Sequence, residues 1–261
     1  MTYFTKMHGL GNDFVIIDGI KHKIDINNLP ITQLSNRHLG IGFDQLLIIE
    51  PTSSGADFFC RILNADGSEA EQCGNGLRCV ARYIHENKLN QSNSFSIATK
   101  AGVFPVTIQD YDHITVTLSA PTIQQSLANV TIDNQEIPLS ILSLGNPHAI
   151  MKVDSIDAIS TNELAPKIAA QHFFPNGANV GFMQVLNNNH VRLRTYERGA
   201  GETLACGSNA CAAIVAGKIN GWLGNYVSVE FCLGKLLVEW EGENQPIRMT
   251  GPATKVFDGK I

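Results

Sequence analysis

The sequence predicts an α+β protein of two pseudo-symmetric halves, each a β-sheet or barrel-like layer wrapped around one central buried helix. Three observations carry this reading. Strand-like runs dominate the chain, one strong helix stands out in each half, and the halves repeat polar landmarks at a near-constant interval.

In chain order, residues 14–18, 45–49, 58–63, 95–108 and 114–118 are rich in β-branched and aromatic side chains and often alternate, as half-buried strands do. The first helix follows Cys73. Leu77, Val80, Ala81 and Ile84 recur at i, i+3, i+4 and i+7, which is one helix face. The second half offers strands at 149–153, 180–186, 190–196, 226–240 and 247–250. Its helix follows Cys206. Ala210, Ala213, Ile214 and Gly217 take the same spacing, and Ala212, Val215 and Ala216 fill the other faces, so burial on all sides is expected. Asp66-Gly67, Gly145-Asn146-Pro147 and Asn176-Gly177 punctuate the strands as turns.

The landmarks are specific. Gly11-Asn12 and Gly145-Asn146 are 134 residues apart, as are Gln45 and Asn179. Asn64 and Glu197 are 133 apart, as are Cys73-Gly74 and Cys206-Gly207. Four polar positions and two Cys-Gly pairs in one order suggest a duplication. A boundary near Ala120-Pro121, ahead of a polar connector at 122–134, divides the chain into 1–120 and 121–251. The segment 252–261 is expected to pack back onto the first half.

The 261 residues are 44% apolar and 16% charged, enough to bury a real core. The formal charge of −5, without runs of Lys or Arg, argues against nucleic acid and anionic membranes and for a small-molecule substrate. Residues 1–20 lack the pattern of a signal peptide, and no apolar run approaches the roughly 20 residues that span a bilayer. Six cysteines are too sparse for a disulfide scaffold and read as reduced thiols of a cytoplasmic protein. Cys60 and Cys232 lie in strand-like runs and are assigned to the core.

The chemistry lies at the two Cys-Gly turns. Both place a cysteine at the N-terminus of an apolar helix. There the helix dipole and unpaired N–H groups should lower a thiol from about 8.5 toward about 3.5–7.5. The same N–H groups can hold a carboxylate, and Gly74 and Gly207 let it approach the backbone. One thiolate and one thiol on opposite faces of an α-carbon would remove a proton and return another. That is a cofactor-independent racemisation or epimerisation, with the carbanion stabilised by preorganised donors. Two alternatives stay open on these residues. Cys73, Cys79, Cys206 and Cys211 could bind zinc, although C-x5-C and C-x4-C within apolar helices suit that poorly. A redox pair is the other, and there is no C-x-x-C.

The segments H-G-L-G-N-D-F (residues 8–14), C-G-N-G-x-R-C (73–79), G-N-P-H (145–148), E-R-G-A-G-E-T-x-A-C-G-S (197–208) and G-P-A-x-x-V-F-D-G (251–259) resemble the diaminopimelate epimerase family. The resemblance runs from end to end. It implies that family's fold and interconversion of L,L- and meso-2,6-diaminopimelate, without cofactor or metal, in lysine and peptidoglycan precursor synthesis. It implies Cys73 and Cys206 as the acid/base pair and His148 and Glu197 as groups that adjust their pKa values. Substrate contacts fall on Asn12, Gln45, Asn64, Gly74, Asn75, Asn146, Asn179, Glu197, Arg198, Gly207 and Ser208. The family is dimeric through an aromatic near the C-terminus, here Phe257 in place of tyrosine, so a homodimer is expected. Asn209 stands where the family commonly has glycine, and a local adjustment, with activity kept, is expected there.

Overall fold

The computed structural model describes residues 2–22, 24–53 and 55–261. They form two compact units, Met1–Val116 with Gly251–Ile261, and Thr117–Thr250.

The first unit opens with the hairpin β1 (Tyr3–Gly9) and β2 (Asn12–Asp18). Its two-residue turn is Leu10-Gly11, at φ 55° and 89°. That geometry suits a tight hairpin, but a leucine in the left-handed region stores strain next to Asn12. A short helix α1 (Ile31–Ser35) leads to β3 (Gln45–Glu50), which runs parallel to β2. β4 (Phe58–Asn64) pairs antiparallel with β3, and β5 (Glu69–Ala70) with β4. Then comes α2 (Gly74–Glu86), whose Leu77, Val80, Ala81 and Ile84 are fully buried. Burying each of the three larger side chains stabilises the unit by about 1.5–3 kcal/mol. β6 (Ser94–Thr99) lies parallel to β4, and β7 (Gly102–Ile108) and β8 (Ile114–Leu118) extend the sheet antiparallel. Residues 95–108, read as one run, are thus a hairpin.

The second unit begins with β9 (Thr122–Ile132) and β10 (Gln135–Ser143). This corrects the expected polar connector, because 122–134 is mostly strand. Ala128, Val130 and Ile132 face inward while Asn129 and Thr131 between them face water, and Asp133-Asn134 makes the two-residue turn at φ 51° and 64°. After that the first unit's plan recurs. β11 (Pro147–Val153) follows β10 antiparallel, and α3 (Thr161–Ala169) connects to β12 (Asn179–Asn187), parallel to β11. β13 (His190–Glu197), β14 (Gly201–Thr203), α4 (Gly207–Ile219), β15 (Tyr226–Phe231), β16 (Gly234–Trp240) and β17 (Ile247–Gly251) repeat the remaining pairings in order and sense. Every residue of α4 from Asn209 to Gly217 is buried, as its all-round apolar pattern requires. The chain ends in β18 (Thr254–Lys260), paired antiparallel with β1.

Cys60 is buried in β4, but Cys232 is exposed in the turn between β15 and β16, which corrects its assignment to the core. The run 226–240 reads as one strand because Cys232-Leu233-Gly234 is apolar, yet it folds as a hairpin.

Candidate active site

In the first unit Cys73 caps α2. Its backbone is extended (φ −152°, ψ 104°), and its sulfur accepts the Gly76 N–H at 3.4 Å. Sγ also lies 3.8 Å from Oδ1 of Asn12, which accepts from Nδ2 of Asn75 at 3.2 Å. Asn75 is held in turn by the fully buried Arg78, whose Nη2 donates to its Oδ1 at 2.9 Å. At the start of β3 and the end of β4, Gln45 donates to Asn64 Oδ1 at 2.9 Å, and Asn64 donates to Ser68 at 3.0 Å. Oε1 of Gln45 is buried and has no partner. A buried acceptor left unmatched calls for an external donor.

Asp13 and three residues outside every motif, Lys6, Arg37 and Asp44, fix this arrangement. Nδ2 of Asn12 donates to Asp44 at 2.8 Å. Arg37 makes two bonds to the Asp13 carboxylate, at 2.8 and 2.9 Å, and one to Asp44 at 2.9 Å. Lys6 completes the network by donating to Asp13 and to the Gly42 carbonyl oxygen. Burial pushes the Asp13 carboxyl up, but the Arg37 and Lys6 bonds and charges outweigh it and hold it at about 2. Of these, only Asp13 carried a signal in sequence, beside Asn12. Arg37 and Asp44 meet it only through folding.

In the second unit Cys206 takes the same place before α4, at φ −128° and ψ 116°, 3.4 Å from the Ser208 hydroxyl. Its thiol does not follow the helix-terminus expectation. Burial and the Glu197 carboxylate raise its pKa well above the ordinary value, against the opposing pull of Ser208 and the Asn209 amide. The dipole of one helix end cannot offset the desolvation of a wholly enclosed thiolate. Cys79, inside α2, is also pushed up, to about 12, by burial. Glu197 accepts from Thr203, and Asn179 Oδ1 accepts the Arg198 N–H at 2.9 Å. The Arg198 guanidinium reaches the Asn176 carbonyl oxygen at 3.4 Å. Gly207 and Ser208 open α4 as Gly74 and Asn75 open α2.

His148 is fully buried in β11, with Nε2 3.1 Å from Asn146 and Nδ1 3.3 Å from Asn209. Asn209 has an ordinary helical place in α4, and the local accommodation is made by side chains. Burial lowers the His148 pKa to about 4. Its stabilising contribution is therefore intact above pH 6.5 and is lost as pH falls toward 4, because only the unfolded chain takes up the proton there. Across that window stability should fall by roughly 3 kcal/mol. Urea unfolding at pH 7 and pH 4.5 should show a flatter dependence in His148→Gln.

The site residues thus collect in two sets, one in each unit: Asn12, Gln45, Asn64, Cys73, Gly74 and Asn75 in the first, and Asn146, His148, Asn179, Glu197, Arg198, Cys206, Gly207 and Ser208 in the second. Phe257 lies apart from the first set, exposed on β18 and edge-on to Phe4 at 6.0 Å between ring centres. Among the described residues, no group of three or more His, Cys, Asp or Glu side chains is placed to hold a metal, and no helix is long and apolar enough to cross a membrane.

Two β-layered units, each with a cysteine capping its central helix, define the fold class. A phenazine biosynthesis protein of the PhzF family from Bacillus anthracis shares this fold at a TM-score of 0.77, with 19% identity, covering 100% of this chain and 98% of that one. A hydroxyproline epimerase from Agrobacterium vitis does so at 0.75, with 16% identity over 99% and 91%. The diaminopimelate epimerase family profile matches residues 4–123 and 140–256. Diaminopimelate epimerases of Ectopseudomonas mendocina and Nitrosospira multiformis are 44% and 45% identical over 99% of this chain and 98% and 97% of theirs. The chain belongs to the diaminopimelate epimerase family and is an isomerase.

Proposed function

We propose that the enzyme interconverts L,L- and meso-2,6-diaminopimelate through Cys73 and Cys206, without a cofactor, in cytoplasmic synthesis of lysine and peptidoglycan precursors. The observation that carries this is the repeated placement of a cysteine at the N-cap position of each unit's central helix. In this reading one sulfur takes the α-proton and the other returns a proton to the opposite face. The charge that develops on the α-carboxylate is met by amides of Gly74-Asn75 and Gly207-Ser208. Burial and the Glu197 carboxylate favour the protonated Cys206 thiol, which suits Cys206 to begin as the acid in one direction, with the two cysteines exchanging roles in the other.

The landmarks differ where the two ends of the substrate differ. Asn12, Gln45, Asn64, Asn146 and Asn179 offer amide donors and acceptors to ammonium and carboxylate without placing full charge beside a thiolate. The unmatched Oε1 of Gln45 suits an ammonium donor. Arg198 can make paired bonds to the distal carboxylate, and Glu197 can accept from an ammonium group. Phe257, with the exposed Tyr3 and Val256 near it on β1 and β18, is the proposed surface for a homodimer.

Incubation with L,L-diaminopimelate in deuterium oxide tests the reading. One solvent deuteron should appear at the α-carbon of the meso product, with no metal or pyridoxal phosphate added. Turnover of proline or hydroxyproline, with none of diaminopimelate, would refute it.

A further inference from the structure

Beneath the first turn of α4 lies a polar inset that the first unit lacks. The duplication allows comparison position by position. His148 pairs with Asn179 as Phe14 pairs with Gln45, and Gly181 pairs with Thr195 as Leu47 pairs with Ile62. Asn209 is the third residue of its helix, as Gly76 is of its own. In the first unit Leu47 fills the space over Gly76, where a Cβ would stand 3.1 Å from Leu47 Cδ1. In the second unit Gly181 leaves that space open, and Asn209 fills it together with Ile150, so that a Cβ on Gly181 would stand 2.8 Å from Ile150 Cδ1 and 3.0 Å from Asn209 Oδ1. An apolar cluster has become a polar one whose His148, Thr195 and Asn209 are all 0% exposed.

The bonds in this inset have fixed directions. Nδ2 of Asn209 lies 3.0 Å from the Val180 carbonyl oxygen, which can only accept, and it also donates to Thr195 Oγ1. Oδ1 is therefore the atom that faces Nδ1 of His148 at 3.3 Å. An amide oxygen only accepts, so Nδ1 carries the proton. Burial keeps the ring neutral near pH 7, which leaves a lone pair on Nε2. The Asn146 atom 3.1 Å from that nitrogen is Oδ1, and an oxygen facing a lone pair is unsatisfied, so the tautomer requires the Asn146 amide to turn and present Nδ2 as the donor. Its oxygen is then released from His148. The first unit arrives at the same orientation by other means. Asp44 accepts from Nδ2 of Asn12, the counterpart of Asn146, and the Asn12 oxygen is left for Cys73 and Asn75.

We infer that Asn209 is a positioning residue: through His148 it sets the tautomer that frees the Asn146 amide oxygen to accept from the substrate's ammonium group. This rests on the proposed role of Asn146 as a substrate contact.

The test uses full-length protein labelled with nitrogen-15 histidine, with the His148 signals assigned by their loss in His148→Gln. At pH 7 Nδ1 should give a protonated-type resonance and Nε2 an unprotonated one. In Asn209→Gly the selection should relax to a mixture of tautomers. KM for L,L-diaminopimelate should rise about tenfold, with kcat changing less, the worth of one misplaced hydrogen bond. An Nε2–H tautomer in the native protein overturns the inference without any variant. So does an unchanged tautomer in Asn209→Gly, or a relaxed tautomer with KM unmoved. The nitrogen shifts report the tautomer whether or not diaminopimelate turns over, so failure of the catalytic reading and failure of this one are distinguishable.

Discussion

Cys73→Ala and Cys206→Ala should each lower kcat/KM for L,L-diaminopimelate by at least about 10³-fold, because each removes a proton carrier that nothing nearby replaces. The other thiols are poor substitutes. Burial pushes Cys60 and Cys79 up and leaves them protonated within the sheet and helix of the first unit. The fold should persist in both variants. Cys73 is half-buried at the start of α2, and losing its sulfur costs weak contacts such as those to the Gly76 N–H and to Asn12 Oδ1. Cys206 is fully enclosed, but the change to alanine removes a single small atom, and about 1 kcal/mol is expected from the gap. Circular dichroism and thermal melts establish the fold, and the epimerisation rate is read on the same samples. The two serine variants separate the roles. A hydroxyl can still give a proton but is a poor base, so Cys206→Ser should keep more activity than Cys73→Ser in the direction where Cys206 begins as the acid. Retention of a tenth of the native rate in either alanine variant would end the two-base mechanism.

The parts of this fold legible in sequence are those repeated in sequence. Gly11-Asn12 with Gly145-Asn146, and Cys73-Gly74 with Cys206-Gly207, mark equivalent strands and helices because duplicated chemistry keeps residue types as well as spacing. The hairpin of β9 and β10 is obscured by composition: apart from Leu127 the exposed residues of β9 are Gln, Ser, Asn and Thr, which resemble a linker, although Asp133-Asn134 is a tight-turn pair. α1 and α3 are short and weakly patterned, and tertiary packing rather than propensity holds them. The site's supports were illegible for a different reason. Asp13, Arg37 and Asp44 belong together only because β2 and β3 lie side by side, and a single sequence carries no record of that. The Cys206 thiol shows the limit of local reasoning. Its helix terminus is visible in the sequence, whereas its enclosure and its proximity to the Glu197 charge are tertiary facts.

Asp13→Asn should destabilise the first unit by about 3 kcal/mol, a loss of roughly 10 °C in melting temperature. The side chain keeps its shape and loses only its charge. What it leaves behind is the cost. The Lys6 side chain is 9% exposed, and its ammonium group would retain only the neutral Gly42 carbonyl oxygen and a neutral amide as partners. Arg37 sets the scale for comparison. Its side chain is 56% exposed and can return to water, so Arg37→Ala should cost no more than about 1 kcal/mol. The double variant Lys6→Met with Asp13→Leu, which removes both charges and keeps the volume, should recover most of the loss. The pH dependence identifies the charge as the cause. Arg37 and Lys6 hold the native carboxyl at about 2, so its contribution is whole above pH 3.8 and disappears as pH falls through 2. The stability gap between native protein and Asp13→Asn should therefore stay constant from pH 7 to pH 4 in urea unfolding. Below pH 4 it should close, since a protonated aspartate and an asparagine present the same neutral face to Lys6. A gap that persists to pH 2 would assign the loss to packing instead of to the buried charge.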